Sequence, residues 1–523
     1  MQTTGVTLAE AESARIRLDL QTAIQVGAAN DFALKSIRHE QATIRKLITE
    51  RWRRYLPSVG VSVIRNRSIN DSAPDSTAHE IRLTVEQVIY DGGQRGLDLD
   101  LARLDALLSR HDFYITYNEL RLNVIEAYLA VLAARGKIIL NRKSLERARL
   151  QLKHTLLEEK VGFTTRAQVY LVAARVREIE LAMQTAHNDY TQAVHDLKQV
   201  LNLDFEVQLE VVGNLYADYY LLPPRADLNE LVDRARSERP EARRSLALIH
   251  RLRKEKEMVE SEWIPRISVS GYTNRTGDSY PLRERGWGAN ITITFPLGSH
   301  SGSSDAGVDY SRNNQDRASN ATNSFDFYDD VSYERRLLER RIALGESISD
   351  YNRLHNSLAI EINRNYDQMR ESWEAIRIGN GRVYFQFTSL RILQTRYEVG
   401  DVRRVDIVEA ERDLVSAQED LTDAITEYLL AVYNLEFSAA LEPDELGLTL
   451  YRPGHGNTLP LYLLREDLEQ IQEIGESEAD SIREYLEDDT RSDLDDLEDR
   501  YLIDEVQIDE NPAPEDASPT NVE

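Results

Sequence analysis

Two proline-free stretches dominate this chain, Gln94 to Lys160 and Val331 to Val399. Each is close to 70 residues long, and each runs into a Val-Gly pair followed by a second helical pattern. At 1.5 Å per residue a helix of that length spans roughly 100 Å, far beyond the diameter of a compact domain. After each Val-Gly the apolar residues recur every seven positions. The first row is Val169, Val176, Met183, Tyr190 and Leu197; the second, 238 residues later, is Ile407, Leu414, Leu421, Tyr428 and Leu435. Beside the second row lie Ala410, Ala417, Ala424 and Ala431, small enough for a partner helix to approach closely. A strict seven-residue period implies left-handed supercoiling against neighbours. Glycine at 162 and 400 supplies the left-handed backbone that ends a helix. The chain therefore makes two long antiparallel helical hairpins, with Val161-Gly162-Phe163 and Val399-Gly400-Asp401 at their tips.

The echo extends upstream. "AANDFALKSIRHEQ" matches "SERPEARRSLALIHR", "RYLPSVGVSV" matches "EWIPRISVSG", and "EQVIYDGG" matches "ITFPLGS", at offsets of 207 to 209. About 30 extra residues separate the last of these from the second Val-Gly, and they coincide with the polar stretch Ser299 to Ser324. A repeat this long is a duplicated half-molecule. Each half reads helix, two strands, long helix, tip, helix. In 1–227 the strands fall at 55–65 and 80–90, the long helix at 94–160, the tip at 161–165 and the return helix at 166–203. In 228–441 the strands fall at 264–273 and 286–297, the insertion at 299–324, the long helix at 331–399, the tip at 400–403 and the return helix at 404–441. The insertion lacks periodicity and is expected to be a mobile segment between the fourth strand and the long helix. A connector at 442–465 and an acidic tail at 466–523 complete the chain.

The strands alternate with period two: Val59, Val61 and Val63; Leu83 and Val85; Ile267 and Val269; Ala289, Ile291 and Ile293. Aromatics sit near their ends, at Tyr55, Tyr90, Trp263, Tyr272, Trp287 and Phe295. That pattern suits either the core of a soluble sandwich or a membrane barrel with interfacial girdles. Four strands cannot close a barrel alone, and open edges cannot face lipid. Three chains would supply twelve strands and twelve helical rods.

Composition removes other classes. The net charge of −27 is concentrated in the tail, where Glu466 to Glu523 carries 23 acidic and 3 basic residues. Such a segment is expected to be solvated and disordered. No nucleic-acid footprint is present. The chain has no cysteine, which removes disulfides, thiolate metal sites and Cys nucleophiles. The histidines show no metal-type pairing, and no phosphate-binding or nucleophile-elbow motif occurs, so neither an enzyme nor a cofactor is expected. No apolar run is long enough for a transmembrane helix. The N-terminus lacks signal-peptide character, which leaves a cytosolic protein or one whose signal has been removed.

The elements "RYLPSVGVS", "VIYDGGQ", "EWIPRISVSGY", "TFPLG" and above all "YEVGDVRRVDIVEAERDL" resemble the TolC family of outer-membrane efflux and secretion ducts, in order, over roughly Leu18 to Leu441. The resemblance implies a mainly α, internally duplicated fold. Long helical hairpins would form an α-barrel, and four strands per chain would contribute to a trimeric twelve-stranded membrane β-barrel. It implies a homotrimer in outer-membrane lipid with a long periplasmic extension. The partners implied are a periplasmic adaptor (a membrane fusion protein) and an inner-membrane pump or ABC transporter, as in type I secretion. The function implied is a passive exit duct; the other reading is a periplasmic coiled-coil adaptor or structural protein. Strand residues Val61, Val85, Val269 and Ile291 would face lipid, and the tips Val161, Gly162, Phe163, Val399, Gly400 and Asp401 would dock the adaptor. The family's third tip residue is Leu or Thr; here it is Phe163 or Asp401. Asp406, Glu409 and Tyr397 match the family's periplasmic aperture, with Arg403 one place beyond the family's arginine. Asp406 and Glu409 lie three apart on one helical face, and threefold symmetry would make rings of them that attract cations.

Overall fold

The computed structural model describes residues 16–451, apart from 69–75, 217–218, 225, 298–299, 312–315, 328–331, 444 and 448. The acidic tail and the N-terminal residues before Ile16 lie outside the described residues, as does most of the 442–465 connector. The first half comprises β1 (Ile16–Leu18), α1 (Leu20–Asn30), α2 (Phe32–Arg53), β2 (Ser58–Ser68), β3 (Ser76–Tyr90), α3 (Gln94–Val161) and α4 (Arg166–Val200). Two short strands, β4 (Leu209–Val211) and β5 (Tyr219–Leu221), lead to the second half. That half comprises α5 (Leu228–Glu238), α6 (Pro240–Glu260), β6 (Arg266–Gly277), β7 (Glu284–Leu297), β8 (His300–Ser311), β9 (Asp316–Asp326), α7 (Tyr333–Glu398), α8 (Arg404–Ser438) and β10 (Thr449–Tyr451).

The halves match element for element, sometimes by different chemistry. α1 and α5 are each 11 residues long, and α4 and α8 are each 35. At the α1–α2 junction Asp31 is extended (φ −61°, ψ 126°). It donates its N–H to Gly27 O and accepts from Leu34 N at 2.7 Å. One residue therefore caps both helices, α1 through its backbone N–H and α2 through its carboxylate. At the α5–α6 junction Arg239 adopts nearly the same angles (φ −61°, ψ 132°) but offers no side-chain cap. Pro240 at the first helical position does the work instead, because the residue before proline is excluded from the α region.

In the helical layer α4 packs on α3, α3 on α8, and α8 on α7. The seven-residue row on α8 is wholly interior: Ile407, Leu414, Leu421, Tyr428 and Leu435 are all buried, as are Ala410, Ala417, Ala424 and Ala431. On α4 the matching row is only partly covered; Val176 and Leu197 are buried, Val169, Met183 and Tyr190 half-buried. Position in the row explains the difference, since α8 lies between two helices and α4 stands at a flank. Both flanks leave apolar side chains exposed: Tyr170, Leu171 and Leu181 on α4, and Ile378, Phe385 and Ile392 at seven-residue spacing on α7.

Small equatorial elements brace the middle of the long helices. β1 pairs in parallel with β4, and β10 antiparallel with β5. Tyr428 donates its hydroxyl to Leu222 O at 2.5 Å, and Tyr128 donates to Val212 O. Burial raises the Tyr428 hydroxyl above its ordinary range, so it remains a donor.

One antiparallel sheet of six strands, in the order β2-β3-β6-β7-β8-β9, caps one end of the helical layer. This corrects the four-strand expectation. The stretch read as a mobile insertion forms a complete hairpin, with β8 paired to β7 from Leu297↔His300 to Gly286↔Ser311 and β9 paired to β8 from Ser311↔Asp316 to Ser301↔Asp326. Its sequence hid it because Ser, Gly, Asn and Asp give little hydropathy contrast and rank low in strand propensity. An already formed neighbour, β7, overrides that propensity.

Candidate functional site at the helical tips and on the sheet

The register places Val61, Val85, Val269 and Ile291 on one face of the sheet. Cross-strand rows run Val61–Leu83–Thr273–Trp287 and Val59–Val85–Gly271–Ala289, and Gln87–Val269–Ile291 follows. Val59, Val61 and Val63 are about two-thirds exposed, and Val85 and Ile291 are exposed as well. A contiguous exposed apolar band of this kind has no place on a soluble sheet. The opposite face carries Arg82, Glu80, Tyr272 and Asn274, joined by an Arg82–Glu80 pair at 2.7 Å, Asn274 Nδ2 donating to Glu80 at 2.9 Å, and Arg82 stacked 4.5 Å above the Tyr272 ring. One face of the sheet is apolar and the other polar.

At the far end of the helices the two tips share one construction. Gly162 and Gly400 sit at φ +86° and +80°, where a side chain is strained. In both, the next residue's N–H reaches back five residues, Phe163 to Glu158 O at 2.9 Å and Asp401 to Arg396 O at 3.0 Å. That satisfies carbonyls which a helix end would otherwise leave open. Phe163 and Val399 project into solvent at 84% and 80% exposure. Thr165 accepts from Gln168 N at 3.4 Å to start α4; at the start of α8 Asp406 accepts from Arg403 N at 3.1 Å.

The second tip is tied to the first hairpin. Tyr397, near the end of α7, donates its hydroxyl to Glu158 Oε1 at 2.8 Å, near the end of α3. Arg404, on the first turn of α8, donates to the same hydroxyl from Nε at 2.9 Å and from Nη2 at 2.7 Å; it also pairs with Glu158 and stacks 4.6 Å over the Tyr397 ring. Burial and the Glu158 carboxylate push the Tyr397 hydroxyl up from its ordinary value against the pull of Arg404. The hydroxyl therefore stays protonated and can donate.

Arg403, the arginine picked from the sequence, is not in this cluster. Its guanidinium turns to Asp406 at 3.3 Å and stays largely in solvent. Arg404 and Glu158 were missed, yet a signal existed. At the 238 offset Arg404 corresponds to Arg166 and Tyr397 to Glu159, and Arg166 Nε bridges to Glu159 Oε1 at 3.2 Å across the first tip. Both tips use the same bridging position. Only the second recruits a residue from the other hairpin and buries its arginine. Glu409 is exposed one turn beyond Asp406, so the two carboxylates share a helix face near the tip.

Above the clamp the α3–α8 seam continues as a polar ladder. Asn141 donates to Glu419 at 2.6 Å, and Lys137 pairs with Asp423 at 2.7 Å. Between the clamp and these rungs, Glu411 is buried against Arg147 and Gln151, and its burial raises the carboxyl above its ordinary value. These polar rungs add to the apolar core that α3 and α8 share.

Residues 23–203 match the family model for outer membrane efflux proteins. Outer membrane protein TolC of Vibrio cholerae serotype O1 is 21% identical over 419 residues, covering 78% of this chain and 87% of that protein. Over residues 23–203 the chain is similar to outer membrane efflux proteins, and over most of its length to TolC. Among solved structures, a membrane protein from Pseudomonas aeruginosa superimposes with a TM-score of 0.64 at 16% identity, covering 80% of this chain and 92% of the other. The Campylobacter jejuni CmeC outer membrane channel gives 0.63 at 12%, covering 88% and 90%. The open state of the Neisseria gonorrhoeae MtrE outer membrane channel gives 0.64 at 14%, covering 81% and 89%. These likenesses establish the duplicated arrangement of long helix pairs and an antiparallel sheet.

Proposed function

We propose that the chain is one of three copies forming a passive exit duct, which takes small molecules, drugs or proteins from an inner-membrane pump or ABC transporter to the exterior. The carrying observation is that helical layer and sheet are both unfinished at their flanks. α4 and α7 leave apolar stripes in solvent, and β2 and β9 each leave one edge unpaired among the described residues. Copies arranged around an axis cover the α7 stripe of one with the α4 stripe of the next and leave no sheet edge in lipid. A coiled-coil adaptor has no use for a sheet with an exposed apolar face. The tips, with Phe163, Val399 and Asp401 presented on rigid turns, are the surface offered to a periplasmic adaptor. Asp406 and Glu409 of three copies would ring the periplasmic aperture.

Expression in a Gram-negative host with a working signal sequence tests this reading. The expected result is a trimer that sediments with outer membranes, needs detergent for extraction and runs faster in gels until heated. A monomer that is soluble without detergent would overturn it.

A further inference from the structure

We propose that β9 of one copy pairs antiparallel with β2 of the next, so that three copies close an eighteen-stranded barrel, and this rests on the trimeric duct reading above. The first ground is that β8 and β9 are full members of the sheet. Each pairs along its whole length, without a register shift, and they span the same height as β7.

The second ground is that the older part of the sheet is fitted to them. In the row Thr84–Tyr272–Gly288–Asp309–Ala318, Tyr272 crosses over β7 and donates its hydroxyl to Asp309 Oδ1 at 2.6 Å, and Asn320 of β9 donates to Asp309 Oδ2 at 3.1 Å. A Cβ at position 288 would collide with both the Tyr272 ring and the Asp309 carboxylate, so glycine there is what lets the contact form. Gly288 thus leaves the Tyr272 ring of β6 room to pass over β7 and reach β8.

The third ground is the continuation of the outward face. The rows extend from Trp287 to Tyr310, from Ala289 to Val308, and from Ile291 to Ala306 and Ala321. Aromatics mark both ends of the hairpin: Trp287 and Tyr310 lie 6.0 Å apart at one end, Phe325 and Phe327 lie 4.7 Å apart at the other. Such girdles bound the lipid-facing band of a barrel. With β8 and β9 in that band, β7 is an interior strand and β9 is the edge.

Size decides between the closures. Strands 4.7–4.9 Å apart and tilted 35–45° each take up about 6–7 Å of circumference, so twelve strands enclose roughly 75 Å and eighteen roughly 110 Å. Twelve helices side by side at 8–10 Å also enclose roughly 110 Å. Eighteen strands therefore continue the helical tube at its own width, and twelve would neck it. The barrel so formed would pass cargo as wide as the tunnel does. Its inner wall would gain Asp305, Asp309, Asp316 and Asp326 from each hairpin, with no Lys or Arg on that face of the hairpin.

Because the native chain has no cysteine, paired substitutions read the edge directly. Ser319→Cys, Ala321→Cys and Asn323→Cys on β9 would each be combined with Val59→Cys, Val61→Cys or Val63→Cys on β2. Ala289→Cys or Ile291→Cys on β7 with the same β2 positions makes the control. Each double variant would be oxidised in isolated outer membranes and run in non-reducing denaturing gels. Directly opposed residues on one face of neighbouring strands come within disulfide range, so at least one β9–β2 combination should give covalent dimers and trimers, and no β7–β2 combination should. Cross-links from β7 to β2 would overturn the eighteen-stranded closure while leaving the trimeric duct intact. Native trimers with no cross-link in any pair would overturn it too. Failure to trimerise in the parent chain would remove the duct reading itself.

Discussion

Arg404→Ala is the sharpest test of whether the Glu158–Tyr397–Arg404 contact between the hairpins acts as a clamp on the proposed aperture. Arg404 is 13% exposed at its side chain and Glu158 28%, so the pair is partly screened from water. Hydrogen bonds to charged groups contribute about 1.5–3 kcal/mol each when both partners are in place. After Arg404 is removed, Glu158 keeps Tyr397 and gains water, which lowers the net loss to about 1–2 kcal/mol per copy. If three tips open together, the losses sum to about 3–6 kcal/mol, a shift of at least 100-fold in the closed-to-open ratio. Tyr397→Phe deletes one hydroxyl and leaves the Arg404–Glu158 pair, so its effect should be smaller, about 1 kcal/mol per copy. Arg403→Ala should do almost nothing, because that side chain meets only Asp406 beside it and stands in solvent. Single-channel conductance in planar bilayers measures this, as the fraction of time in high-conductance openings. The expected order is Arg404→Ala, then Tyr397→Phe, then Arg403→Ala with the parent. Equal effects of Arg403→Ala and Arg404→Ala would refute the assignment of the clamp.

Asp406→Asn with Glu409→Gln should abolish block of the closed pore by a trivalent cation while leaving trimer stability nearly unchanged, since Asn still accepts from Arg403 N. Asp406→Ala would add about 0.5–1 kcal/mol of helix destabilisation that is unrelated to the pore; persistence of the block in the Asn/Gln variant, read in the same bilayers, would place the constriction elsewhere. Glu411 gives a pH signature. Burial raises its folded carboxyl above the ordinary value against the pull of Arg147 and Gln151, so its contribution to stability is fully present below the ordinary value and is lost as pH rises through the folded one. Glu411→Gln should therefore raise Tm at pH 7 and lose that advantage towards pH 4; a Tm difference independent of pH would show that the group titrates normally.

The helical hairpins were legible in the sequence because their signal is repetitive. The row from Ile407 to Leu435, the Val-Gly pairs and the absence of proline each state the same geometry many times over. The strands of the first four were legible from valine and isoleucine alternation, and the register places their outward residues on one face. The duplication was legible for the same reason, although the junction at Asp31 and the junction at Arg239-Pro240 share no side-chain chemistry, only a backbone shape. β8 and β9 were not legible. Their small polar residues state no preference on their own, and β7 supplies the hydrogen bonds that decide it. Of the clamp, Tyr397 was legible and its partners Glu158 and Arg404 were not, because pairing a charge on α3 with one on α8 is a property of how two hairpins lie together. Local periodicity fixes which residues become helix and strand, because each turn or rung repeats the same burial. Which charge meets which, and which polar stretch joins a sheet, depends on neighbours that only the assembled tertiary structure brings within hydrogen-bonding distance.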